Sequence, residues 1–244
     1  MKDRFLRFLP VALLAICGVV PTASAQNTNM YADGGYQGNV WCGGPEGCVA
    51  TGFYDGSING VGVGPSRPGG PGMVCDDYFD DTNPGEHWTA DGINVAALNS
   101  GNIGAQTLFG SLIGMTGYAE LAYLVNQMFT TNPNSALQAS YSEALWYLTS
   151  NGKISWSSID KTAQTLVTTA QAYVQKYGNS LGQYANLWLY TPNPRGPNEA
   201  QEMWGIVRVA EGGAAALYLL LAGFTCFGAM RFRSPRPNIQ GKTA

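Results

Sequence analysis

The sequence predicts an α+β fold: an N-terminal β-rich region, a central helical bundle, closing strands, and a C-terminal transmembrane helix. Three observations lead there. Residues 26–72 are Gly-rich, with short β-prone pieces punctuated by turn signals such as Asp33-Gly34, Asp55-Gly56 and Asn59-Gly60. From Ile103 the apolar residues change to helical spacing. Near the C-terminus, residues 214–230 are free of charge and are followed at once by Arg231, Arg233 and Arg236.

Taken in order, residues 1–25 have the three parts of a signal peptide. Lys2, Arg4 and Arg7 make a positive start, a short apolar core follows, and Ala23 and Ala25 provide the small residues that signal peptidase requires. Cleavage after Ala25 leaves an exported α+β body over residues 26–208. In that body, 39–41, 49–54 and 58–63 are strand-like, and Asn59-Gly60 between apolar flanks reads as a hairpin turn. Met73, Val74 and Cys75 begin another strand. Helices are expected over 103–115, 118–129, 135–148 and 158–176. Asn134 serves as an N-cap for the third, and Gly178 lies just past the fourth. Two closing strands follow, at 186–190, ended by Pro192, and at 203–207. Strands, then helices, then strands is an α+β order. The apolar run 214–230 would rise roughly 25 Å as a helix, close to the hydrocarbon thickness of a bilayer. Its arginines would stay in the cytoplasm with residues 237–244, leaving the body outside.

Charge and cysteine usage narrow the function. Between Gln26 and Ala210 six basic side chains face fourteen acidic ones, a net charge of −8. A body so acidic, with no basic patch, is not built for nucleic acid. Cys42 and Cys48 flank a flexible Gly43-Gly44-Pro45-Glu46-Gly47 turn and are expected to pair in an oxidising compartment, with reduced thiols or a pairing to Cys75 as the alternatives. Three cysteines and a lone His87 match no zinc-finger spacing, so neither a metal nor a cofactor is expected.

The catalytic signals are sparse. Asp76, Asp77, Asp80, Asp81 and Glu86 cluster around Tyr78 and Phe79. A solvated acidic turn is the plain reading. Calcium binding and a glycosidase carboxyl pair are the functional ones, and the spacing fits no EF-hand loop. His87 must serve any Ser-His or Cys-His site, with Cys75 as its conceivable partner. No G-x-S-x-G elbow and no G-x-G-x-x-G before a helix is present. Tyr31, Tyr36, Trp41 and Tyr54 are aromatics that, if exposed, would stack on sugars.

Two resemblances add to this reading. Val209-Ala210-Glu211-Gly212-Gly213, the apolar run and Arg231-Phe232-Arg233 resemble a PEP-CTERM sorting tail over 209–236, in the variant that opens with Glu-Gly-Gly. Ala210 and Gly212 stand where the usual prolines would be. The resemblance implies cleavage near Glu211 by an exosortase-like membrane protease, and a product passing through the inner membrane to the cell surface or outside it, in a bacterium that makes exopolysaccharide. The body, with Val74-Cys75-Asp76-Asp77-Tyr78, Glu143-Ala144-Leu145-Trp146 and Trp188-Leu189-Tyr190-Thr191-Pro192, resembles PEP-CTERM ectodomains. More distantly it is similar to the thioester domains of surface adhesins. Cys75 stands in the cysteine position of that bond. Ser142, four residues before Trp146, stands where the glutamine would be. A serine hydroxyl offers no carboxamide carbon to acylate, so the bond is expected to be absent, with Gln138 one helical turn away as the remaining partner. The chain thus reads as a non-enzymatic, structural or adhesive envelope or matrix protein with polysaccharide as a possible partner. A covalent adhesin using Cys75 and a secreted glycoside hydrolase are the alternatives.

Overall fold

The computed structural model describes residues 25–64, 72–80, 82–131, 134–195 and 200–206. The leader up to residue 24, Asp81, and the expected sorting tail with its span and basic stop lie outside those residues.

The described residues form an α+β structure. Strand β1 (Gln26–Tyr36) runs antiparallel between β4 (Tyr54–Ile58) and β7 (His87–Asn94). With β5 (Val61–Val63), β6 (Val74–Cys75), β8 (Trp188–Pro192) and β9 (Met203–Gly205) they make a seven-stranded sheet of order β5-β4-β1-β7-β8-β9-β6. Strands β2 (Val40–Gly44) and β3 (Gly47–Ala50) pair as a separate hairpin. The Asn59-Gly60 hairpin forms as the sequence predicts, with Ile58 opposite Val61 and both turn residues at positive φ (51° and 78°). Such two-residue loops match the twist of their strands.

Two central strands escape a reading by apolar runs. β1 buries Thr28, Met30 and Ala32 while Asn27 and Asn29 face out, so its period-2 pattern is carried by weakly apolar residues. In β7, Ala90, Gly92 and Ile93 are the buried positions. The stretch 49–54, expected as one strand, is broken: β3 ends at Ala50 and β4 starts at Tyr54.

The helical region differs from expectation at its start. Instead of helices over 103–115 and 118–129, a short α1 (Ile103–Gln106) precedes a long α2 (Gly110–Thr131). The long helix kinks at Gly114, whose φ of 60° suits glycine. Helix α3 (Ser135–Thr149) is capped by Asn134, which accepts from the Leu137 amide at 3.0 Å. Helix α4 (Lys161–Tyr177) starts later than the expected 158, because Asp160 caps it by accepting from the Ala163 amide. It ends at Gly178 with φ 85°. Among the described residues no helix is long and apolar enough to cross a membrane.

The core lies on both faces of the sheet. Val74, Ile93, Leu189 and Trp204 point to the helices and pack with Leu121, Val125, Leu145, Trp146 and Val167. Their strand neighbours Cys75, Tyr190 and Met203 point the other way, into a smaller cluster with Met30, Ile58, Met73 and Ala90. This is the strict alternation of a strand buried on both faces.

Candidate functional site

The residues with most chemical potential gather where β6 leaves the sheet. β6 pairs with β9, Val74 opposite Trp204 and Cys75 opposite Met203, and then the chain turns through Asp76 to Asp80. The turn is fastened from three sides. Asp77 Oδ1 accepts from the amides of Phe79 (3.0 Å) and Asp80 (3.4 Å). The Gln201 side-chain amide donates to the Asp77 carbonyl at 3.0 Å and also to that of Asp80. The Thr149 hydroxyl, at the end of α3, donates to the Asp76 carbonyl at 2.6 Å.

Behind the turn sit two fully buried carboxyls. Asp76 Oδ2 accepts from the Trp204 indole N–H at 2.7 Å. Glu202 accepts from the Tyr118 hydroxyl (2.6 Å), the Leu108 amide (2.8 Å) and the Thr191 hydroxyl. Burial pushes both carboxyls up, and the Glu202 charge raises Asp76 further. On Glu202 three donors and the Arg195 charge pull downward against that burial. Burial also pushes Asp77 up to about 7. The expected solvated acidic turn is therefore not what forms: Asp76 and Asp77 are buried, because the turn folds inward under Gln201 and Thr149. Glu86, which accepts from the Asn83 amide, behaves as a loop carboxylate. No group of three or more His, Cys, Asp or Glu is placed to hold a metal ion among the described residues.

Cys75 is buried at the end of β6, as a small core residue would be. Its thiol donates to the Asp77 carbonyl at 2.8 Å and its sulfur accepts from the Asp77 amide at 3.2 Å. Burial, then the charges of Asp77 and Asp76, push this thiol well above its ordinary value, the reverse of an activated nucleophile. Ser142 Oγ accepts from the Gly52 amide at 2.9 Å, and Gln138 Oε1 accepts from the Phe53 amide at 3.3 Å. This face of α3 thus clasps the backbone before β4. A Cβ on Gly52 would come within 2.6 Å of Gln138 Oε1, and its φ of 93° independently requires glycine. A Cys75–His87 pair does not form. His87 opens β7, three strands from β6, about 14 Å at ordinary strand spacing, and its ring packs on Tyr31 at 4.5 Å.

The Cys42–Cys48 disulfide is closed. It ties β2 to β3, and the hairpin is pinned by the Tyr78 hydroxyl, which accepts from the Glu46 amide (3.1 Å) and donates to the Gly47 carbonyl (3.2 Å). Trp41 is buried beneath it, 5.4 Å from the Tyr78 ring and 5.8 Å from Trp146. Of the four aromatics considered for sugar stacking, Trp41 is therefore ruled out by its place under the hairpin. Tyr36 is 44 % exposed, and Tyr31 and Tyr54 are half-buried.

An open cleft of about 580 Å³ lies beside the turn, with Phe79, Asp80, Phe109, Leu112, Lys153 and Arg195 on its walls and Asp77 at its edge. Sequence reasoning passed over Glu202, Gln201, Lys153 and Arg195. They are scattered along the chain and form no motif, so only the fold gathers them.

Comparison with family models, with curated proteins and with solved structures returns no match.

Proposed function

We propose that this chain is an exported cell-envelope or extracellular-matrix protein with a structural or adhesive role. The observation that carries the proposal is the closed Cys42–Cys48 disulfide, set beside a Cys75 thiol that is buried and held by Asp77. A covalently closed surface hairpin belongs to an oxidising compartment. The leader ending at Ala25 supplies the route there. In this reading residues 214–230 span the inner membrane, Arg231, Arg233 and Arg236 hold the cytoplasmic side, and an exosortase-like protease releases the body near Glu211 in the manner of a PEP-CTERM tail.

The role is passive. Ser142 is engaged with Gly52, and Cys75 is withheld from solvent and from ionisation, which argues for binding without a covalent bond. Intact mass spectrometry of the protein from its native envelope tests the proposal. The expected species begins at Gln26, ends near Glu211, lacks two hydrogens for the disulfide and gains nothing from methylamine. A species with the leader or the tail retained removes the sorting route, and a methylamine adduct overturns the passive role in favour of a thioester.

A further inference from the structure

The cleft beside the 77–80 turn gathers two of the few cations of an acidic body. Six bases face fourteen acids between Gln26 and Ala210, yet Lys153 and Arg195 both line this one cleft. Neither is in an ion pair among the described residues. Arg195 gives a guanidinium N–H to the Thr107 carbonyl at 3.4 Å, and the Lys153 ammonium rests 4.3 Å over the Phe79 ring. Both side chains are exposed, so their charge is available to a ligand.

The rest of the lining says what kind of ligand. Phe79, Phe109 and the exposed Leu112 make an apolar wall. Asp80 lines the same space, while the Asp77 carboxyl is turned inward, its Oδ1 taken by the Phe79 and Asp80 amides. The exposed Asn151 lines it too, and its side-chain amide suits hydroxyl partners. An amine would add a third positive charge beside Lys153 and Arg195. A ligand matched to all of these groups has one anionic group for the guanidinium fork, several hydroxyls, and a C–H face to lie on an aromatic ring. A volume of about 580 Å³ is in the range of small-ligand sites.

We propose that this cleft binds a carboxylated sugar unit, a uronate within an acidic polysaccharide chain, with its carboxylate on Arg195 and Lys153 and its ring against Phe109. The proposal rests on the exported, adhesive reading above. Its test uses purified protein, so a failure of binding is read separately from a failure of export.

Full-length protein is titrated with a galacturonate trisaccharide and with the neutral galactose trisaccharide, by calorimetry at low and high salt. The acidic sugar is expected to bind, the neutral one to bind about tenfold more weakly, and salt to weaken the acidic sugar selectively. Arg195→Gln and Lys153→Gln are each expected to lose about tenfold while keeping the native circular dichroism spectrum, and Lys176→Gln, which removes an exposed cation elsewhere, keeps the affinity. Equal affinity for the neutral sugar, full binding by Arg195→Gln, an equal loss in Lys176→Gln, or no binding of either sugar overturns the proposal.

Discussion

Two short pairings in this fold, the β2–β3 hairpin and the β6–β9 edge, face the same difficulty and meet it differently. Each has too few ladder hydrogen bonds to hold itself. The hairpin lies on the surface, where a covalent bond and one tyrosine hydroxyl fasten it over Trp41. The β6–β9 edge lies inside, where polar side chains do the fastening: Glu202 takes three donors, Asp76 takes the Trp204 indole, and Gln201 holds the turn. The difference shows what burial changes. In water a hydrogen bond exchanges with solvent and adds little, so a small flap gains most from a cross-link. In the interior each unsatisfied donor is costly, so a network that satisfies the Tyr118, Thr191, Leu108 and Trp204 donors binds its members together.

The comparison is tested most severely by Glu202→Ala. It strands the Tyr118 hydroxyl and the Leu108 amide and opens a cavity, so a loss of about 3–5 kcal/mol in urea unfolding is expected. A loss below about 1 kcal/mol would mean that the network is slack.

The carboxyl turn makes the next prediction, in pH. Burial raises Asp77 from 3.8 to about 7, and Asp76 and Glu202 also move up. A carboxyl raised on folding binds its proton more tightly in the folded state. Its stabilisation is present below the unfolded value and is lost as pH rises through the folded value. The domain should therefore lose stability by a few kcal/mol between about pH 4 and pH 8, opposite to ordinary acid denaturation. Asp77→Asn should flatten that slope. A melting temperature that rises over the same range would place the charge elsewhere.

On the hairpin side, Cys42→Ser with Cys48→Ser is expected to cost about 2 kcal/mol, the value for so short a closed loop. Reducing agent should match that loss in the native protein and add nothing in the double variant. The smallest expected effect belongs to the clasp between α3 and the Gly52 backbone. Ser142→Ala removes one acceptor and should cost about 1 kcal/mol. Ser142→Gln would test the thioester resemblance directly, with a methylamine adduct as its readout.

Local signals were legible in the chain: Asn59-Gly60 turned where such a pair should, Asn134 capped α3, and Cys42 and Cys48 paired across six residues. Each depends on backbone conformation or chain closure within a few residues, which sequence specifies directly. The acidic turn was misread because carboxylates usually stay in water, and nothing near Asp76 in sequence announces Trp204, Thr149 or Gln201. Strand β1 was passed over because Thr28, Met30 and Ala32 alternate without a strong apolar run.

By itself the sequence determined the coarse order of strands, helices and strands, the Asn134 cap, the Asn59-Gly60 turn and the covalent closure of the hairpin, since these follow from local conformational preference. Only the tertiary structure decided that Asp76 and Glu202 are buried together, that Cys75 and Ser142 each serve a different neighbour, and that Lys153 and Arg195 share one cleft. The reason is physical. Burial and charge proximity join residues that lie tens of positions apart, and the free energy of a charged or polar group depends on what surrounds it far more than on what precedes it.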